Sequence, residues 1–125
     1  MGDVVIGQVE SVNKHIVSVA VSILNGQKVE PPYSAVMHVS QADRAYLESM
    51  FDAIKEGDII RGKIVDAHTI PLQLTTIYNE LGVIFALCSK CGERLSYLRR
   101  GSLKCENCSN VEPRKIAEDF GRARL

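Results

Sequence analysis

The sequence predicts an all-β protein, a small, strongly bent five-stranded barrel followed by a second, smaller β module. Three observations carry this. Short β-branched runs recur along residues 4–76, bounded by turn residues, and only one brief stretch reads as helix. Glycine falls inside the first and fourth of these runs, where a barrel strand must coil sharply from one side to the other. Two C-x2-C pairs, Cys88/Cys91 and Cys105/Cys108, stand thirteen residues apart in the last third, where too few residues remain to build a core without a staple.

Taken in order, Val4–Val12 is β-branched with alternation at its end, and Asn13-Lys14 makes a turn. Ile16–Leu24 carries apolar residues at 17, 19, 21 and 23, a period of two, before Asn25-Gly26 breaks it, so the two runs form a hairpin. Pro31-Pro32 is expected to forbid regular structure. Ala35–Ser40 then reads as a short third strand that ends at Ser40, a potential helix cap, with a helical turn from Asp43 to Met50. Ile59–Ala67 and Leu72–Thr76 supply the fourth and fifth strands, and Gly82–Ala86 is a further extended segment running into Cys88. Five short strands with one helical insertion fit the OB-fold best. The expected boundaries are 1–80 for the barrel, 81–112 for the ribbon and 113–125 for a C-terminal tail that frays.

The four cysteines set the chemistry of the second module. A divalent zinc ion takes four thiolates in a tetrahedron at about 2.3 Å, and C-x2-C is a compact loop for aiming two sulfurs at one ion. Gly92 after the first pair lets the chain turn beneath the metal. The same tetrahedron suits iron. Two disulfides would need an oxidising compartment, yet residues 1–5 lack the basic start and apolar run of a signal peptide, so reduced thiols in the cytoplasm are expected. One structural zinc ion is the favoured reading: with every position filled by cysteine, none is left open for a catalytic water.

Basic and acidic residues balance at 15 each, so the chain has no overall field to draw in RNA or an anionic membrane, and a nucleic-acid site must be a local patch. No apolar stretch nears the roughly 18 residues of a membrane span, so no membrane partner is expected. His15, His38 and His68 form no recognisable triad, and no glycine-rich loop has the setting to cradle phosphates. The chain is therefore expected not to be an enzyme and to have no small-molecule substrate.

Gly2–Val9, Val36–Ser40 and Lys55–Ile64 resemble the strand-one, strand-three and strand-four signatures of the RNA-binding domain first described in ribosomal protein S-one, over residues 2–76. With a C-x2-C ribbon directly after it, the order of modules is similar to that of the zinc-ribbon cap subunits of the archaeal RNA exosome. The resemblance implies a non-catalytic member of a trimeric cap on a hexameric ring of RNase-PH-like subunits. There it would help to recruit and orient single-stranded RNA for 3'-to-5' degradation or processing. Members of that family usually carry a further N-terminal β-rich domain, and nothing in this sequence corresponds to it.

By position, His38 matches the histidine of the family's third strand, and Arg61 and Lys63 lie on the fourth strand beside the binding side. Where the family's second strand shows two aromatics around a glycine, this chain has Ser18-Val19-Ala20-Val21. Stacking therefore falls to Tyr33 and to His15 in the hairpin turn, with Lys14 beside it, and weak binding is expected. In the ribbon, Arg99 and Arg100 follow Tyr97 and Leu98, a basic and aromatic mixture that serves a phosphate backbone or a protein interface equally. The competing reading is an adaptor of a ribosomal or RNA polymerase-type assembly, whose ribbon docks proteins and which has no intrinsic RNA affinity.

Overall fold

Alternating valines build the first hairpin: Val5 and Val9 of β1 (Val4–Val12) and Val17, Val19 and Val21 of β2 (Ile16–Leu24) turn inward and are buried. The turn between them is closed by Asn13, whose Oδ1 accepts from the backbone N–H groups of His15 and Ile16 at 3.0 and 2.9 Å. The computed structural model describes residues 3–42, 53–66, 71–78, 80–88, 90–99, 101–117 and 120. The expected helical turn at Asp43–Met50 lies outside the described residues, as do His68 and Arg100. Gly7 sits at a register shift, and a Cβ there would come within 2.6 Å of the Ala20 carbonyl oxygen, so the bend of β1 over β2 needs glycine.

Asn25 and Gly26, both at positive φ, turn the chain into β3 (Gln27–His38). This strand corrects the expectation that Pro31-Pro32 excludes regular structure. Tyr33 pairs with Val21 and Lys28 with Ile23, so the chain between Lys28 and Tyr33 bulges past a single residue of β2. Prolines have no N–H to give the ladder, and a bulge lets pairing resume on both sides of them. β3 ends at His38 and passes into a single 3-10 turn, Val39–Gln41.

β4 (Ile59–Asp66) and β5 (Leu72–Thr75) complete the barrel. β3 and β5 run parallel, the other neighbours antiparallel, and β1 pairs with β4, giving the closed order β1-β2-β3-β5-β4. This is the five-stranded OB-fold expected from the sequence. Thr76 seals one end, its hydroxyl donating to the Ala42 carbonyl at 2.8 Å and its N–H to the Gln41 carbonyl at 2.8 Å. β6 (Gly82–Phe85) adds to the free side of β4, and β7 (Leu95–Arg99), β8 (Ser102–Cys105) and β9 (Val111–Pro113) form a separate antiparallel sheet. One apolar core runs through both, from Val5 and Met37 in the barrel by Val83 and Ala86 to Leu95, Leu103 and Cys105.

Residues 114–117 do not fray as expected. The Val83 N–H donates to the Lys115 carbonyl at 2.7 Å, and the Ala117 N–H to the Val83 carbonyl at 3.1 Å. The Lys115 N–H reaches the Ala53 carbonyl at 2.8 Å. The chain passes so close to Gly82, itself at φ +128, that a Cβ there would run into the Lys115 carbonyl. Arg114 fixes the crossing: its Nε donates to Asp58 Oδ2 at 2.7 Å in the barrel and its Nη2 to Glu112 Oε1 at 2.9 Å in β9. All three side chains are 5% exposed or less. Burial pushes the Asp58 carboxyl above its ordinary range against the pull of Arg114, so the group contributes orientation more than net stability. Removing the cation is another matter. Arg114→Ala leaves the Asp58 and Glu112 carboxylates buried without this guanidinium and is expected to cost about 3–5 kcal/mol in urea unfolding; a loss below about 1 kcal/mol would show that the joint does not depend on it.

Candidate metal centre and nucleic-acid interface

The two knuckles fold by the same backbone pattern. The Gly92 N–H donates to the Cys88 carbonyl at 2.9 Å, and the Ser109 N–H to the Cys105 carbonyl at 2.8 Å. Each loop thereby turns both of its sulfurs to one side. Gly92 takes φ +80, as the sequence led us to expect, while Ser109 occupies the equivalent left-handed position in the second loop at φ 64. The four sulfurs lie within 4.8 Å of one another, with Cys88 and Cys108 at 3.6 Å and Cys91 and Cys105 at 3.3 Å. A tetrahedron with bonds of about 2.3 Å has edges of roughly 3.8 Å, so the cluster can hold a metal ion.

Donors converge on these sulfurs as thiolates require. The Cys91 backbone N–H is the main influence that brings the Cys88 thiol down to about 6, helped by the N–H of Lys90 and the amide of Asn110. Cys91 is lowered too, chiefly by the Glu93 N–H. At Cys108 the N–H of Asn110 favours the thiolate, but burial and the three neighbouring thiols together push it up to about 12. Because a metal ion takes thiolates, its binding at these four sulfurs displaces protons.

The barrel residues singled out in the sequence fall into separate groups. Lys14, His15 and His38 are exposed and meet at one rim, where the Val39 N–H donates to the His15 carbonyl at 2.7 Å and Ile16 pairs with His38. The His38 Nδ1 accepts from the Ser40 N–H at 3.2 Å and lies 3.0 Å from the Ser40 hydroxyl. His38, not Ser40, caps the 3-10 turn. That network assigns the ring proton to Nε2, which faces away from the cap.

Arg61 and Lys63 lie elsewhere. They pair with Ile6 and Val4, and Ile6 to Val12 is roughly 20 Å of extended strand away from the rim. The Arg61 Nη1 donates to the Glu80 carbonyl at 3.0 Å. The Lys63 Nζ is 3.5 Å from the Glu80 carboxylate and 5.0 Å from the centre of the Tyr78 ring. Tyr33 is exposed beside the β3 bulge, and Arg99 is exposed at the tip of the β7–β8 hairpin. Sequence reasoning missed Asn110, Glu112, Asp58 and the cap made by His38; a polar residue two places after Cys108 was the one local signal.

No protein-family profile matches this chain. It is 35% identical over 124 residues to the exosome complex component Csl4 of Archaeoglobus fulgidus, covering 97% of this chain and 66% of that protein. The chain is a Csl4 homologue. Exosome complex component csl4 of Schizosaccharomyces pombe is 28% identical over 98 residues, 76% of this chain and 54% of that protein. The chain thus spans just under two thirds of the one Csl4 and about half of the other. Among the described residues of this Csl4 homologue no helix is long and apolar enough to cross a membrane.

The spread of thiol proton affinities sets a test of the cluster. Titrated with a divalent cation by calorimetry in buffers of different ionisation enthalpy, the Csl4 homologue is expected to release protons on binding, and its affinity to weaken as pH falls. Binding with no proton release and no pH dependence would show that the ion sits elsewhere.

Proposed function

We propose that the chain is a non-catalytic, RNA-binding exosome subunit that acts in the cytoplasm. It helps to recruit and orient single-stranded RNA for 3'-to-5' degradation or processing, beside RNase-PH-like ring subunits. The relatives' names as exosome components support the assembly. The observation that carries the RNA role is the rim of Lys14, His15 and His38, where a cation and two planar rings stand exposed on one edge of an OB-fold barrel. Bases stack on planar groups while cations follow the phosphates, each stacked base contributing on the order of 1–3 kcal/mol. The His38 ring is held by its cap, so ordering it on binding costs little, and its Nε2–H is available to a base or phosphate.

In this reading the barrel of residues 1–80 contacts RNA. The ribbon of 81–112 holds one zinc ion at Cys88, Cys91, Cys105 and Cys108. Its role is structural, since four cysteines leave no site for water. Arg61 and Lys63 brace the segment leading to β6 through Glu80 and Tyr78, and are secondary phosphate contacts, as are the ribbon residues Arg99 and Arg100, while Tyr33 is a further stacking ring.

An NMR titration of the zinc-loaded chain with a short single-stranded RNA, at low and near-physiological salt, tests this. Shifts are expected to centre on amides 13–16 and 38–41 and to weaken with salt. Lys14→Ala should reduce the salt slope by about 0.7, and His38→Ala should lose about 1–3 kcal/mol of affinity. Undiminished binding by the double variant, or no binding at either salt, would contradict the assignment and leave a protein-docking role.

A further inference from the structure

We infer that Asn110, backed by Glu112, Arg114 and Asp58, forms an outer sphere of the four-cysteine site that couples metal occupancy to the seating of the ribbon on the barrel. The inference rests on reading those cysteines as a zinc site. Asn110 touches three of the four. Its side-chain Nδ2 donates to Cys88 Sγ at 3.5 Å, its carbonyl accepts from the Cys105 N–H at 2.8 Å, and its own N–H donates to Cys108.

The same Nδ2 donates to Glu112 Oε2 at 2.7 Å. An amide oxygen cannot face a carboxylate at that distance, so the neighbour dictates which end of the amide points at the sulfur. Glu112 in turn accepts from Arg114 Nη2 at 2.9 Å through its other oxygen, and Arg114 Nε reaches Asp58 at 2.7 Å. Asp58 Oδ2 also accepts from the Lys55 N–H at 3.0 Å, which anchors the far end of the chain in the barrel.

Each link thus orients the next, from barrel backbone to metal-facing sulfur. Donors to a ligating sulfur stabilise its thiolate, and partners behind first ligands commonly change metal affinity by about 10–100-fold. A coupling of this kind is reciprocal: whatever factor the seated ribbon adds to metal affinity, metal must add to seating. The reporters of seating are the Lys115 and Ala117 amides, which bond the Ala53 and Val83 carbonyls.

The test uses the full chain, with zinc affinity measured by competition against a chromophoric chelator and amide hydrogen exchange followed with and without zinc. Asn110→Ala is expected to weaken zinc binding by about 10-fold or more. Asp58→Asn, which has no atom at the cysteines, should weaken it in the same direction. Zinc removal should speed exchange at Lys115 and Ala117. Should Asp58→Asn fail to fold, Asn110→Ala carries the test, because it leaves the ion pairs in place. Zinc affinity within twofold of the parent chain in Asn110→Ala, or exchange at both amides indifferent to zinc, overturns the inference. A parent chain that takes up no zinc overturns instead the metal reading on which it rests.

Discussion

A single buried guanidinium sets the geometry of this molecule. Arg114 satisfies Asp58, Glu112 and the Pro113 carbonyl at once, with 1% of its side chain exposed. Burying three charges costs several kcal/mol each before any pairing, and the return depends on close geometry. An apolar joint of the same volume would hold the sheets together at least as well but would tolerate many rotations. The charged joint tolerates few, because a displaced guanidinium leaves each buried carboxylate short of its charge-assisted donor. From this fixed crossing follow the path of residues 115–117 along Val83, the need for glycine at 82 and the continuity of the core from barrel to ribbon.

The functional consequence is that two outward-facing surfaces share one frame. The rim of Lys14, His15 and His38 is carried by the barrel. The hairpin bearing Tyr97, 58% exposed, and Arg99 is carried by the ribbon. On the proposed function, a protein that guides a flexible strand gains from such an arrangement, because no entropy is spent on fixing the joint when both surfaces are engaged. The net charge of zero fits the proposed function: any attraction for RNA would be confined to patches and not spread over the whole surface.

Much of this was legible in the sequence because it is local. Period-two valines, the Asn25-Gly26 turn and the glycines in bent strands act within a few residues, and the C-x2-C spacing states its own geometry. The third strand was misjudged because a proline's missing N–H matters only where a partner needs it, and the bulge opposite Val21–Ile23 removes that need. His38 was seen for its position but not for its cap, which depends on the chain leaving β3 as a 3-10 turn rather than continuing to Ser40. Arg114 read as part of a charged tail. Its partner Asp58 lies 56 residues away, and no local pattern announces a pairing across that distance. The group behind Cys88 was hidden for the same reason, since Asn110 gains its meaning only from Glu112 and Arg114.

The most direct test of a shared frame is 15N relaxation of the zinc-loaded chain, compared between amides of β1–β5 and those of β7–β9. One common rotational correlation time for both sheets is the predicted result. A distinctly shorter time for the ribbon amides would contradict it, showing that the two sheets tumble separately and that Arg114 does not fix their relation.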